Sequence, residues 1–271
     1  MTAEIVDRVL RSARYHDVDP GLLGRLAAEE LPRARSTDDA VKRVKRRLHQ
    51  AIGAFRGATS TGTLEAIREA WAGDLEAPAF RAACAAAMRG HASTRERLPH
   101  LDGFYRSVWA LTGGPPAELL DIGCGLGPLA LPWMGLTADA RLLAVEVDRR
   151  PLATVEGFLR LVGQPHRVEA RDIVADPPQD AAEVALLLKV VTTLDRQDPS
   201  AATRLLRQLA VRHVVVSFTS RSLSGRATGM ERTYRERLDR LVAEAGRVTA
   251  VAEASVPNEL VFVLTLADVH D

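Results

Sequence analysis

Three glycines at alternate positions follow a short apolar run that ends in Asp121, and they are Gly123, Gly125 and Gly127. An apolar segment of helical character comes next, so the pattern predicts a strand, a tight turn and the start of a helix. Glycine permits backbone angles and a close approach to a ligand that a side chain would prevent, and the free N–H groups at a helix start favour anionic or polar groups. This stretch therefore predicts a pocket for a small molecule.

The spacing of these glycines narrows the choice of ligand. A dinucleotide site uses G-x-G-x-x-G or G-x-G-x-x-A, whereas here the third glycine comes one residue early and Pro128 follows it. The pattern D-x-G-x-G-x-G resembles motif I of the class I S-adenosylmethionine-dependent methyltransferases. A turn of this kind also serves as a plain tight connection, so the downstream residues decide between the two interpretations.

Two acids come at the ends of the next predicted strands. Glu146, in A-V-E-V-D, can accept hydrogen bonds from both hydroxyls of a ribose, with Asp148 as the close competitor. Asp172, in A-R-D-I, can accept a hydrogen bond from the adenine amino group while Ile173 packs against the ring. Each acid alone is explained equally well as a strand-end residue that caps the next helix. Taken in order with the glycine turn, they favour adenosylmethionine binding.

Lys189 interrupts the run A-L-L-L-K-V-V, which otherwise has the character of a fully buried strand. A lysine is seldom buried without a partner. Two positions are therefore open for it. The side chain either reaches the surface at the strand end or lies at the mouth of the pocket, near the transferred methyl group and the incoming substrate.

A polar cluster, G-H-A-S-T-R-E-R-L, stands shortly before the first predicted strand. Ser93 and Glu96 have the spacing of a capping box, which predicts a helix that begins there and carries Phe104 on its buried side. The cluster has a second interpretation besides capping. His91 and Arg97 are well placed to reach the carboxylate of a ligand that lies on the glycine turn.

Strands and helices alternate from Glu118 onward, which favours a parallel sheet covered on both faces. The last two strands are separated by only four residues, too few for a parallel crossover, so we expect them to be antiparallel. This order resembles the seven-stranded, Rossmann-like α/β sheet of class I methyltransferases, and we predict such a domain over residues 113–271. The predicted strands are 118–122, 142–147, 167–171, 183–190, 212–218, 248–254 and 259–266, with helices near 127–136, 151–163, 200–210 and 229–246.

Residues 1–112 show helical periods only and are predicted to form an all-helical domain. One helix carries a dense basic face, made of Lys42, Arg43, Lys45, Arg46 and Arg47. Residues 1–60 contain 12 Lys and Arg against 8 Asp and Glu, a local excess of +4. A solvated face is one explanation, but no acid stands among these residues to form i, i+4 pairs, and a phosphate backbone would be attracted here. An anionic membrane is a weaker alternative because the apolar stripe lacks exposed aromatic residues.

The composition is that of a globular chain of 271 residues with a net charge of +1, so attraction to nucleic acid must come from local patches. Cys84 and Cys124 have no metal-ligand spacing and suggest no disulfide framework, so we expect no metal site and a reducing compartment. No apolar run approaches the roughly 20 residues that span a bilayer. We expect a cytoplasmic monomer without a membrane partner.

Five sequence elements occur together in one order: H-A-S-T-R-E-R-L, D-I-G-C-G-L-G-P, L-L-L-K, F-T-S-R-S-L-S-G-R-A-T-G-M and P-N-E-L-V-F. With them the chain resembles the aminoglycoside-resistance methyltransferases of 16S ribosomal RNA, in the group that modifies guanine N7 in the decoding-site helix of the small subunit. The similarity covers nearly the whole length, and R-S-L-x-G-R-x-x-G-M is its most specific element.

The resemblance implies how the cofactor would be held. Arg97, with His91 in the same element, would bind the methionine carboxylate of S-adenosylmethionine. Glu146 would hold the ribose, and Asp172 the adenine. An aspartate is commoner than glutamate at the ribose position in this family, but the longer side chain keeps the chemistry.

The resemblance also implies how the target would be held. Lys189, Arg221 and Glu259 would act at the target base, Arg226 would help to hold phosphates, and the helical domain would dock on the 30S subunit. Guanine N7 carries a lone pair and no proton, so its attack on the sulfonium methyl needs no general base and depends on alignment and on a flipped-out base. Two rivals stay open: methylation of adenine N1 in the same RNA or of a small molecule, and a non-catalytic ribosome-binding protein on this scaffold.

Overall fold

The computed structural model describes residues 1–52, 62–219 and 230–268. Seven strands form one sheet in the order β3-β2-β1-β4-β5-β7-β6. The strands β1 to β5 pair in parallel, and β7 lies antiparallel between β5 and β6, which confirms the predicted fold class. The strands are β1 (Glu118–Ile122), β2 (Arg141–Glu146), β3 (His166–Ala170), β4 (Ala182–Leu188), β5 (Val211–Thr219), β6 (Val248–Ala254) and β7 (Glu259–Leu266).

The central strands are apolar on both faces because helices cover the sheet on both sides, as parallel sheets require. Successive residues of a strand point to opposite faces, so Leu119 and Leu120 enter different hydrophobic clusters. The same alternation separates Leu186 from Leu187 in β4. These two clusters fix the register of the strands and therefore the position of every side chain at the strand ends.

The helices fall into two groups by their packing. Helices α1 to α3, which we call the N-terminal bundle, form a hydrophobic cluster of their own, whereas residues of α4, α5 and α7 share a cluster with the sheet. The predicted domain boundary at residue 112 stays a prediction. The helices are α1 (Thr2–Leu10), α2 (Pro20–Glu30), α3 (Thr37–Ile52), α4 (Thr63–Ala70), α5 (Pro78–Arg89), α6 (Ala92–Arg95), α7 (Leu101–Thr112), α8 (Leu131–Met134), α9 (Arg149–Val162), α10 (Val191–Gln197), α11 (Ala201–Gln208) and α12 (Met230–Ala245).

The prediction of one helix running from Ser93 past Phe104 is wrong. The helix α6 ends at Arg95, a 3-10 turn covers Leu98–His100, and α7 starts afresh at Leu101. Proline restricts the residue before it, so Pro99 interrupts the helix. The carboxylate of Glu96 also does not cap a helix, because it binds the Lys189 ammonium instead. The helix α10 was not predicted, because its apolar start continues the apolar run of β4.

The N-terminal bundle is joined to the carboxyl end of β2 by backbone hydrogen bonds. Asp19 donates its N–H to the carbonyl of Val147 at 2.9 Å, and Arg149 donates to the carbonyl of Asp17 at 2.8 Å. An antiparallel bridge also links Val18 with Asp148. The bundle therefore lies beside the strand end that carries Glu146. Across the described ranges, no helix combines the length and apolar character needed to cross a membrane.

Candidate active site

A cleft opens at the carboxyl ends of the parallel strands, where ligands of such folds bind. It encloses about 980 Å³ including its open mouth, and Leu22, Ala51 and Ile52 of the N-terminal bundle form part of its wall. The sequence analysis proposed many of the other lining residues. They are His91, Gly123, Glu146, Asp172, Ile173 and Lys189. The fold thus brings residues from five separate segments of the prediction to one cavity.

The glycine turn is packed too closely for side chains. Gly123 and Gly125 have φ angles of +66° and +50°, in the left-handed region that favours glycine. A Cβ at Gly123 would lie 2.7 Å from Val190, and one at Gly125 would lie 2.8 Å from the His91 ring. At Gly127 an added Cβ would come within 2.8 Å of a carboxylate oxygen of Asp121. All three predicted glycines are therefore required by the local packing.

Gly125→Ala is expected to weaken cofactor binding by about tenfold or more, because the turn or His91 must move to admit the methyl group. Isothermal titration with S-adenosylhomocysteine measures this. The matched control is Gly135→Ala, where φ is +63° but no atom lies within 4 Å of an added Cβ. Both variants acquire backbone strain of about 1–2 kcal/mol. Equal losses of affinity in the two would show that the contact with His91 is unimportant.

Glu146 holds the glycine turn against the end of β2. Its carboxylate accepts hydrogen bonds from the backbone N–H groups of Gly125 at 3.1 Å, Val147 at 2.7 Å and Asp148 at 3.1 Å. Burial raises the pKa of this carboxyl, against the lowering effect of those three donors. A carboxylate offers about four acceptor positions, so one is left for a ligand. The predicted contact with ribose is compatible with this geometry.

Asp121, which the sequence pattern marked only as the end of a strand, lies against the glycine turn at Gly127. It is buried, and within the described part of the chain its Oδ2 atom lacks a hydrogen-bond partner. Burial raises the pKa of Asp121 to about 7, although Arg97 opposes the change. Its place at the start of the D-x-G-x-G pattern was the available signal. A buried acceptor without a donor is rare, and this one lies beside the glycine turn.

Asp172 is held by an arginine from the N-terminal bundle. Arg25 donates from Nε to Oδ2 at 2.6 Å and from Nη2 to Oδ1 at 3.2 Å, and Val174 N–H also reaches Oδ1 at 3.2 Å. Ile173, beside it, lines the cavity. Together with Glu146, these residues offer carboxylates for ribose and amino donors and an apolar wall for a purine. This set of groups fits an adenosine ligand such as S-adenosylmethionine.

Arg97 and Glu259 form a buried ion pair with each other. The resemblance implied different ligands for them, the methionine carboxylate for Arg97 and the target base for Glu259. In the structure the two side chains bind each other. Arg97 donates from Nη2 at 2.5 Å and from Nε at 3.0 Å, with both side chains 4% exposed. Ser217 Oγ donates to the same carboxylate, and the guanidinium lies 4.4 Å from the ring centroid of Phe104.

This ion pair controls the protonation of Glu259. Burial alone would raise the pKa of Glu259, but Arg97 and Lys189 bring it below its usual value. The carboxyl is therefore ionised at neutral pH. Neither Arg97 nor Glu259 is among the described residues that line the cavity. Their predicted ligand contacts stay predictions.

Lys189 does not reach the surface, so that alternative is wrong. It is 6% exposed, it lines the cavity, and its Nζ donates to Glu96 at 2.6 Å and to the carbonyl of Ser93 at 3.1 Å. Its φ of +64° is unusual for a residue other than glycine and marks strain of the kind found at functional sites. His91 bonds Ser93 Oγ at 2.8 Å, and burial lowers the pKa of His91 to about 4, which keeps its ring neutral.

The basic face of α3 is narrower than predicted. Arg43 donates to Glu30 at 2.7 Å, and Arg47 donates to the same carboxylate at 3.0 Å and to Glu29 at 3.2 Å. These acids belong to α2, so a search for partners along α3 did not find them. The side chains of Lys42 and Arg46 are exposed and that of Lys45 is half-buried. The predicted residues Arg221 and Arg226 lie outside the described residues.

Comparison with known proteins places the chain among enzymes that act on ribosomal RNA. Residues 11–263 match the family described as ribosomal RNA methyltransferase (FmrO). A 16S rRNA (guanine(1405)-N(7))-methyltransferase of Frankia casuarinae is 39% identical over 269 residues, covering 96% of this chain and 94% of that protein. A protein of the same name from Micromonospora echinospora is 35% identical over 266 residues, covering 96% and 95%.

A solved structure agrees with these sequences over the full chain. The 16S rRNA methyltransferase RmtF, in complex with S-adenosyl-L-homocysteine, is similar with a TM-score of 0.83 and 32% identity, covering 98% of both chains. The agreement includes the helical N-terminal region as well as the sheet. The chain belongs to the ribosomal RNA methyltransferase family.

Proposed function

We propose that this chain is an S-adenosylmethionine-dependent methyltransferase that modifies guanine N7 in the decoding-site helix of 16S rRNA. It would act on assembled 30S subunits in the cytoplasm, and the modification would confer aminoglycoside resistance. One observation carries the proposal. Gly123, both acids and Lys189 line a single cavity in a chain that matches enzymes of this activity over 96% of its length.

The residues of the cavity supply position rather than acid or base chemistry. When bound, S-adenosylmethionine provides a sulfonium methyl group for a nucleophilic lone pair. Glu146 and Asp172 would hold the adenosine, and the buried, neutral His91 would support the glycine turn. Guanine N7 needs no deprotonation before it attacks. Catalysis then depends on alignment of the guanine with the methyl group in a site that excludes water.

The target base would enter beside Lys189, at the carboxyl end of β4. Lys189 and Arg221 would stabilise the flipped nucleotide, and Glu259 would contact the N1 and N2 edge of guanine after release from Arg97. The exposed cations Lys42 and Arg46 on α3, with Lys45, would bind phosphates of the 30S subunit. The chain would act as a monomer.

Methyl transfer from labelled S-adenosylmethionine to purified 30S subunits and to naked 16S rRNA, run in parallel, tests the proposal. The expected result is label on 30S alone and strand cleavage at one decoding-site guanine after borohydride and aniline. Label without cleavage would point to another atom, such as adenine N1. Absence of label on both substrates, with S-adenosylhomocysteine bound, would reject the RNA methyltransferase activity and retain the cofactor site.

A further inference from the structure

Arg25, on α2 of the N-terminal bundle, binds two residues that line the cavity, Asp172 and Gln197. Its side chain is 15% exposed and that of Asp172 is 7% exposed. The pair is bidentate, and such arginine–carboxylate pairs fix the orientation of both groups. The two residues are 147 positions apart in the chain. This contact therefore joins the RNA-docking side of the molecule to the adenine side of the cavity.

The hydrogen bonds of Asp172 leave little freedom for its carboxylate. Arg25 uses one acceptor position on each oxygen, and the N–H of Val174 uses a second position on Oδ1. Of about four acceptor positions on a carboxylate, one on Oδ2 is not used by the described residues. Because Asp172 lines the cavity, a ligand donor is the group that can complete this set.

Arg25 is itself held from three sides. Its Nη1 donates to Glu29 at 3.0 Å and its Nη2 to the side chain of Gln197 at 2.8 Å, in addition to the bonds with Asp172. Gln197 is the last residue of α10, the helix that follows β4, and it also lines the cavity. The guanidinium thus connects α2, α10 and the end of β3 at one point.

We propose that Arg25 is the positioning residue that presents Asp172 to the exocyclic amino group of adenine, so that recognition of adenine depends on the seated N-terminal bundle. The inference rests on the proposed cofactor-binding function. A carboxylate held in one orientation as an acceptor favours an amino donor and disfavours a carbonyl oxygen. The site should therefore bind S-adenosylhomocysteine and reject S-inosylhomocysteine, in which a carbonyl oxygen replaces the amino group.

Calorimetric titration of the full chain with both compounds tests this role. The wild-type protein is expected to prefer S-adenosylhomocysteine by about 100-fold, since an unpaired buried acceptor discriminates strongly. Arg25→Met should lower the affinity for S-adenosylhomocysteine about tenfold, because the freed carboxylate loses its orientation. The affinity for S-inosylhomocysteine should change by less than about twofold. A general structural defect would weaken both compounds alike.

Two further variants make the result unambiguous. Arg25→Lys keeps the charge but cannot form the bidentate pair, so it should lose the preference as Arg25→Met does. If Arg25→Met fails to fold, Arg25→Lys takes its place in the test. Arg149→Met is the matched control, because Arg149 also links the bundle to the sheet domain, through Asp19 at 3.7 Å, without contacting Asp172. It should keep the wild-type preference.

Unchanged preference in both Arg25 variants would overturn the inference and leave the methyltransferase proposal intact. An equal loss for both compounds would also overturn it, since that pattern indicates a structural role only. If the wild-type protein fails to bind S-adenosylhomocysteine, the proposed function falls together with the inference.

Discussion

Glu259→Ala is expected to lower the free energy of unfolding by about 3–5 kcal/mol, because it leaves the Arg97 guanidinium buried without its counterion. Both side chains are 4% exposed, so water does not compensate for the lost partner. Ser217 also loses its acceptor. Urea unfolding followed by circular dichroism measures the effect. A loss of this size is a large part of the stability of an ordinary domain.

The matched control is Glu253→Ala on the neighbouring strand β6. Glu253 also accepts two hydrogen bonds from one arginine, Arg235, both at 2.7 Å, but that pair is about half exposed. Its removal should cost about 0–1 kcal/mol. The double variant Arg97→Met, Glu259→Leu should recover much of the loss, because it removes both buried charges. Equal costs for Glu259→Ala and Glu253→Ala would contradict the assignment of burial as the cause.

Replacing Lys189 is expected to reduce methyl transfer by about 100-fold or more, since a preorganised cation in a site of low dielectric is lost. Lys189→Ala and Lys189→Gly should both show this loss while S-adenosylhomocysteine affinity stays within a few-fold of wild type. Single-turnover methylation of 30S subunits, together with calorimetry, separates the two effects. Glu96 stays hydrated in both variants, because about a third of its side chain is exposed.

The backbone at this position distinguishes the two variants in stability. Glycine adopts a φ of +64° without cost, whereas alanine retains the strain of the native conformation. Lys189→Gly should therefore be more resistant to urea than Lys189→Ala. We expect its free energy of unfolding to be about 1 kcal/mol higher. Near-wild-type methylation in the glycine variant would show that the ammonium group has no role at the target base.

The strands and the glycine turn could be predicted because their signals are local. The apolar runs of β1, β4 and β5 are bounded by turn residues. The connection of only four residues between β6 and β7 forces these two strands to be antiparallel. The two acids follow from the same logic, since Glu146 and Asp172 stand where parallel strands end. The predicted helix from Ser93 failed because a capping-box spacing does not reveal that Lys189 competes for Glu96.

The charge pairs could not be predicted, because nothing local marks their partners. Arg97 and Glu259 are 162 positions apart, and Arg25 and Asp172 are 147 positions apart. The sequence pattern marked Arg97, Asp172 and Glu259 as ligand contacts, but it did not show that each is paired with another charged side chain. The arginines of α3 show the same limit, since Arg43 and Arg47 look free until α2 is packed beside them. Only the tertiary fold identifies which charges are available to a ligand.

The N-terminal bundle has a hydrophobic cluster of its own, which allows its sequence to evolve separately from that of the sheet. Residues such as Val9 and Leu26 belong to a hydrophobic cluster separate from those on the two faces of the sheet. Selection can therefore change the exposed basic residues of α3 at a different pace from the cofactor cavity. The few positions at the junction, such as Arg25, must fit both the bundle and the residues around the cavity. A bundle acquired by recombination would need the same residues at these positions.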